Sequence, residues 1–129
     1  RQMCIRDSFC PRPLDFHEHA IKVPYNHSNL DSDEVLYYVA GNYKARKGIE
    51  VGSLTAHPQG IPHGPHPGTV EKSLDAIHTS ELAVMCDTFR PLFPTKAALN
   101  LDDPDYPSSW QSASAPAPGT HRADGSFET

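Results

Sequence analysis

Long apolar runs are missing from this chain. No stretch approaches the roughly 18 residues that cross a bilayer, and no signal-peptide pattern is read. A cytoplasmic location and no membrane partner are therefore the default expectations. Basic runs are missing too. With a formal net charge of −5, the chain lacks the electrostatic footprint of a nucleic-acid binder, and no nucleic-acid partner is expected. Cysteine is scarce and scattered: Cys4, Cys10 and Cys86 have no CxxC spacing of the kind that holds zinc. Cys86 ends the apolar run LAVMC and reads as a small buried hydrophobe. The apolar fraction, 37%, is low for a globule, and 129 residues suffice for a single domain.

Proline and histidine are what the chain has in quantity. Thirteen prolines argue for many turns and few long helices. Residues 35–40 (VLYYVA) are β-branched and aromatic and read as a buried strand entered from Asp33 and Glu34. Residues 49–56 (IEVGSLTA) and 82–88 (LAVMCDT) read as further strands, residues 70–77 as one short helix, and residues 9–24 as an irregular lead-in. Residues 57–68 (HPQGIPHGPHPG) hold four prolines and three glycines. That composition excludes a helix or a central strand and predicts a shaped loop. Short strands joined by turns indicate an all-β sandwich or small barrel.

Two end segments are set apart. Residues 1–8 (RQMCIRDS) resemble translated sequencing-adapter read-through, have no periodic or capping pattern, and are left out of the fold reading. A missing natural N-terminal part is expected. From Ser108 the chain turns Ser/Ala/Pro-rich, so residues 111–129 read as a disordered tail, with Trp110 as the last anchored residue.

Eight histidines carry the chemical signal. His27 and Asn29, two apart on an extended segment, face one side. Glu34 follows after a turn, and Gly41 after six further residues. This is the spacing of the first cupin motif, G(x)5HxH(x)3-4E(x)6G, with Ile21 in place of the leading glycine and Asn29 in place of the second histidine. Gly52, Pro58, Gly60 and His63 fit the second motif, G(x)5PxG(x)2H, with Pro67 where its closing asparagine would stand. Loss of the second histidine leaves two imidazoles and one carboxylate, His27, Glu34 and His63. Such a facial triad keeps about three coordination positions open and is the usual holder of non-haem Fe(II) in O2-using enzymes. His57 opens the loop that presents His63 and is placed to bond substrate or a ligand. His17, His19, His66, His78 and His121 read as solvated.

The stretches PYNHSN…DSDE, GNY and HPQGIPHGPHPG resemble the C-terminal domain of the homogentisate 1,2-dioxygenase family, with weaker similarity through ELAVMCDTFRPLFPTKAAL to DYPSSW. The resemblance covers residues 9–110. It implies a partial cupin β-sandwich, Fe(II) as cofactor, and cleavage of the homogentisate ring by O2 to maleylacetoacetate in tyrosine and phenylalanine catabolism. It also implies a small aromatic acid as substrate and a homo-oligomeric parent, trimers pairing to hexamers. By position its iron ligands fall on His27, Glu34 and His63, its substrate contacts on Tyr43, His57 and His63, and its substrate-orienting histidine on His57. One more residue separates the His and Glu ligands here than in the familiar animal form. Asp33 and Glu34 therefore compete for the ligand place, and Glu34 keeps the spacing to Gly41 and Tyr43. The family's proton-handling histidine lies upstream of its first ligand, on a segment not present here. A polypeptide of this sequence alone is expected to be poorly active. Two other readings remain: a different metal-dependent cupin acting on a related aromatic acid, or a cupin binding module without catalysis. The absent second histidine speaks against four-ligand members of the first kind, and the intact His/Glu/His set against the second.

Overall fold

The computed structural model describes residues 4–43 and 45–111. Its centre is a four-stranded antiparallel sheet with spatial order β1–β6–β3–β4. The strands are β1 (Cys4–Phe9), β3 (Asp33–Ala40), β4 (Leu54–His57) and β6 (Leu82–Thr88). A two-stranded ribbon pairs β2 (Arg12–Pro13) with β5 (His78–Thr79). Helix is confined to two short pieces, α1 (Thr69–Ser73) and α2 (Lys96–Leu99), and a 3-10 turn at Tyr106–Ser108. This is the all-β, cupin-like architecture that the strand and turn pattern implied. Among the described residues no helix is long and apolar enough to cross a membrane.

Register places the functional face. Strand side chains alternate between faces, and directly paired residues share one. Glu34 is paired with His57 on β4 and with Asp87 on β6. Leu36 faces Thr55 and Met85 in the next row, and Tyr38 faces Ala83 in the one after. The polar end of this face thus runs His57, Glu34, Asp87 across three strands. Its apolar end builds the core of Tyr38, Tyr43 and Ala83, with Phe9, Leu36 and Ile49 packed against it. Tyr38 and Tyr43 meet edge to face at 4.5 Å between ring centroids, a favoured aromatic geometry. The opposite face carries an exposed apolar row of Leu54, Tyr37 and Val84.

Several expectations are corrected. The strand expected over residues 49–56 begins only at Leu54, because Glu50–Ser53 closes a turn (Ser53 N–H to Glu50 O, 3.0 Å) around Gly52 at φ +91°. The helix expected over residues 70–77 stops at Ser73. Residues 4–8, left out of the fold reading, pair in register with β6 from Cys4 opposite Thr88 to Ser8 opposite Val84. An edge strand needs only a partner with free ladder groups, not a periodic pattern of its own. Cys86 is half-buried rather than buried, and no disulfide joins the three cysteines, all of which are described residues. The tail expected over residues 111–129 lies, beyond Gln111, outside the described residues. Gly41 closes the β3 end: its φ is +93°, and a Cβ there would stand 1.9 Å from the Ser80 carbonyl oxygen. Only glycine meets both conditions.

Candidate metal centre

Two backbone hydrogen bonds bring His27 and His63 opposite each other. His27 N–H donates to His63 O at 2.9 Å and His63 N–H to His27 O at 2.8 Å, an isolated antiparallel bridge between the lead-in and the proline-rich loop. Residues that exchange both bonds project their side chains to the same side, and the two imidazoles lie 4.4 Å apart. Each ring is held by a backbone carbonyl two residues earlier: His27 Nδ1 to Tyr25 O at 2.8 Å, His63 Nδ1 to Ile61 O at 3.1 Å. A carbonyl only accepts, so Nδ1 carries the proton in both rings and Nε2 presents a lone pair, the tautomer a metal needs.

Glu34 completes the set from the start of β3. Its side chain is buried, with Oε1 3.5 Å from His63 Nε2 and Oε2 3.9 Å from His27 Nε2. One ligand atom from each of the three residues lies within 4.8 Å of the others. Donors held about 2.1 Å from one centre stand roughly 3.0 Å apart at right angles, so the set is slightly wider than a loaded site. His63 Nε2 is buried and makes no hydrogen bond. A buried ring nitrogen without a partner costs free energy, and a cation between it and the carboxylate would satisfy both. One negative charge beside two neutral imidazoles suits a divalent ion and leaves coordination positions free.

The carboxylate is itself held. His57 Nδ1 donates to Glu34 Oε1 at 2.8 Å, and Asn29 Nδ2 to Oε2 at 3.2 Å. Burial alone would raise the pKa of Glu34. The His57 bond, the charges of His57 and His63 and the Asn29 bond outweigh it and hold the pKa down to about 2. Asn29, standing where the motif has a second histidine, therefore serves the ligand carboxylate. His57 is 6% exposed, stacks on His63 at 4.2 Å, and leaves its own Nε2 buried without a hydrogen bond. Burial, the largest influence, holds the His63 imidazole below the usual histidine range.

Asp33 is separated from Glu34 by the strand's alternation. It faces the other way and accepts backbone N–H groups from Gln59 at 2.9 Å and Leu92 at 2.7 Å. Of the two acids, Glu34 is the one whose carboxylate lies beside His27 and His63. Tyr43 is brought near the site but not turned to it. It lines a cavity of about 560 Å³ together with His27, Glu34, Leu36 and Tyr38. Its hydroxyl, however, is directed at the carbonyls of Ala40 (2.7 Å) and Leu82 (2.8 Å).

Two residues escaped the sequence reading. Asp87, paired with Glu34 across the sheet, has a buried Oδ1 without a hydrogen bond. Burial, then the charges of Glu34 and Asp7, push its carboxyl above the usual range. An acid inside an apolar strand was the available signal. His66, expected to be solvated, is 1% exposed and the most buried large side chain described. No local signal marked it. His17, His19 and His78 are exposed as expected, and His121 lies outside the described residues.

The comparisons with known proteins agree with this geometry. Residues 6–116 match the model of the homogentisate 1,2-dioxygenase C-terminal family. The chain belongs to that family. A protein of Saccharolobus solfataricus, provisionally named a dioxygenase, is 37% identical over 105 residues, 80% of this chain and 27% of that protein. The homogentisate 1,2-dioxygenase of Rhizobium leguminosarum bv. trifolii is 31% identical over 113 residues, 80% of this chain and 24% of that enzyme. The chain therefore spans about a quarter of the length of these relatives. No solved structure matches. Membership makes the chain part of a dioxygenase family and gives its His/Glu cluster a candidate role in metal binding.

Proposed function

We propose that this chain carries the Fe(II) site of a ring-cleaving dioxygenase that converts homogentisate and O2 to maleylacetoacetate, with His27, Glu34 and His63 as the ligands. The observation that carries the reading is the convergence of two Nε2 lone pairs, each fixed by a carbonyl on its Nδ1–H, on one buried carboxylate. Fe(II) bound there would supply open positions at which an aromatic diol and O2 meet.

The chain's own residues prepare that meeting. His27 and His63 each commit Nδ1–H to a backbone carbonyl, which fixes the tautomer that presents Nε2, and these bonds do not depend on substrate. Glu34 stays ionised far below neutral pH, so the ligand charge is present throughout the working range. His57 fixes the carboxylate through its Nδ1–H, which leaves its Nε2 as a lone pair able to accept a substrate hydroxyl. His63 is stacked on His57. The apolar part of the neighbouring cavity, Leu36 and Tyr38 with Met85, excludes water from an aromatic ring.

The test is anaerobic Fe(II) loading, followed by oxygen uptake with homogentisate and with gentisate in a protein that carries this chain together with the upstream part of its relatives. The expected result is uptake with homogentisate and its loss in His63→Ala. Uptake with gentisate alone would refute the substrate, and undiminished iron binding by His63→Ala would refute the ligand set.

A further inference from the structure

The loop that presents His63 is fixed in two different ways on its two sides. Upstream it is tied by backbone and by Asp33: Gly60 N–H donates to Asn29 O at 2.7 Å, and Gln59 N–H to the Asp33 carboxylate. Downstream, the bridge to His27 ends at His63 itself; His66 N–H donates to Ala45 O at 2.9 Å, and side chains do the rest. The carbonyl of Gly64, the next residue, accepts Arg46 Nη1–H at 2.8 Å and Trp110 Nε1–H at 3.3 Å. Gly64 has no room for a side chain, because a Cβ there would stand 2.0 Å from Asn26 Oδ1.

Two residues further on, the His66 ring lies flat on Trp110, centroids 3.8 Å apart and planes 21° from parallel. Its hydrogen bonds fix one tautomer. Ser109 Oγ–H donates to Tyr106 O at 2.6 Å, so Ser109 Oγ must accept from His66 Nε2–H at 2.8 Å. The freed Nδ1 lone pair then accepts the Lys47 N–H at 3.3 Å. Burial, the largest influence, and the charges of Arg46 and Lys47 hold the imidazole below the usual histidine range, in keeping with this neutral form. The Arg46 guanidinium stands 5.5 Å over the Trp110 ring, within cation–π reach.

We propose that Arg46, His66 and Trp110 are positioning residues that clamp the His63 loop from its downstream side and set the place of His63 Nε2 in the metal centre. This rests on the metal reading above. None of the three touches the ligand atoms. They act through the Gly64 carbonyl and the His66 ring, which flank the only part of the loop that has to be exact. The 3-10 turn at Tyr106–Ser108 and the two residues after it, far along the chain from the ligands, thereby become part of the site. Outer partners of this kind typically change metal affinity about 10–100-fold when removed.

The test uses the full chain with Co(II) as probe, reading its dissociation constant and its visible d–d band under nitrogen. Arg46→Met and Trp110→Phe each remove one donor to Gly64 O, and Trp110→Phe keeps an aromatic face for His66. Both are expected to keep the β-sheet circular dichroism, to bind Co(II) about 10–100-fold more weakly, and to shift the d–d band. Arg46→Lys, which retains a donor, is expected to recover part of the affinity. Ile49→Ala, which trims the core away from the loop, is expected to lower Tm with affinity and band unchanged. A Tm loss in the clamp variants with affinity and band intact would make the cluster purely stabilising and overturn the proposal. An unaltered chain that binds no Co(II), or a His63→Ala variant that binds it undiminished, would instead overturn the metal reading and the clamp with it.

Discussion

Tyr43 separates two accounts of one side chain, and Tyr43→Phe tests them. The family resemblance implies a substrate contact at this position. In this fold its hydroxyl proton is shared between the carbonyls of Ala40 and Leu82, beside the irregularity where β3 slips register against β6 between Tyr38 and Ala40. The substitution keeps the ring, and with it the edge-to-face contact on Tyr38. What is lost is one buried hydroxyl serving two carbonyls, about 1–2 kcal/mol. For a folded unit of this size that is a fall in Tm of roughly 5–10 °C. The assay is thermal unfolding by circular dichroism, paired with KM for homogentisate in the longer protein. The expected result is the Tm loss with KM changed less than about threefold. An unchanged Tm with KM raised tenfold, about 1.4 kcal/mol of binding, would show that the hydroxyl serves the substrate and that its two backbone bonds are not made in solution.

Asp33→Ala removes the acceptor that ties Gln59 and Leu92 to the start of β3. At this partly exposed position it is expected to cost about 1–2 kcal/mol by denaturant unfolding. Those two N–H bonds hold the Asp33 carboxyl below its ordinary value. Its contribution is therefore complete above the ordinary carboxylate range and fades as pH falls through the depressed value; a gap between wild type and variant that widens on acidification would contradict this. Asp87→Asn should act in the opposite sense in the metal-free chain. Burial and the charge of Glu34 raise the Asp87 carboxyl, so its ionisation destabilises the fold as pH rises above the ordinary range. The variant should melt higher than wild type at neutral pH, and the advantage should shrink toward pH 4. Equal melting at both pH values would remove the inferred repulsion.

The sequence revealed the metal centre more readily than the scaffold, and particular residues explain the difference. The candidate ligand places of His27, Glu34 and His63 are set by spacing, since each is followed or preceded by turn residues that only certain backbone paths accept. Gly41 and Gly60 are two of these, both at positive φ. Such constraints are local and can be read from a few neighbouring letters. The competition between Asp33 and Glu34 was not local in that sense. Gln59 and Leu92 claim the Asp33 carboxylate from distant parts of the chain, which leaves Glu34 as the acid beside the two imidazoles.

His66 makes the same point from the other side. It lies three residues from His63 in nearly the same Pro-His setting, yet one ring faces the ligand carboxylate and the other is sealed under Trp110. Nothing in the loop distinguishes them. The distinction comes from a serine and a tryptophan more than forty residues later. Without that turn His66 would be the solvated histidine its surroundings suggest, and the carbonyl beside His63 would lose one of its two donors. On the proposed clamp, the C-terminal turn belongs with the candidate metal centre rather than with the tail.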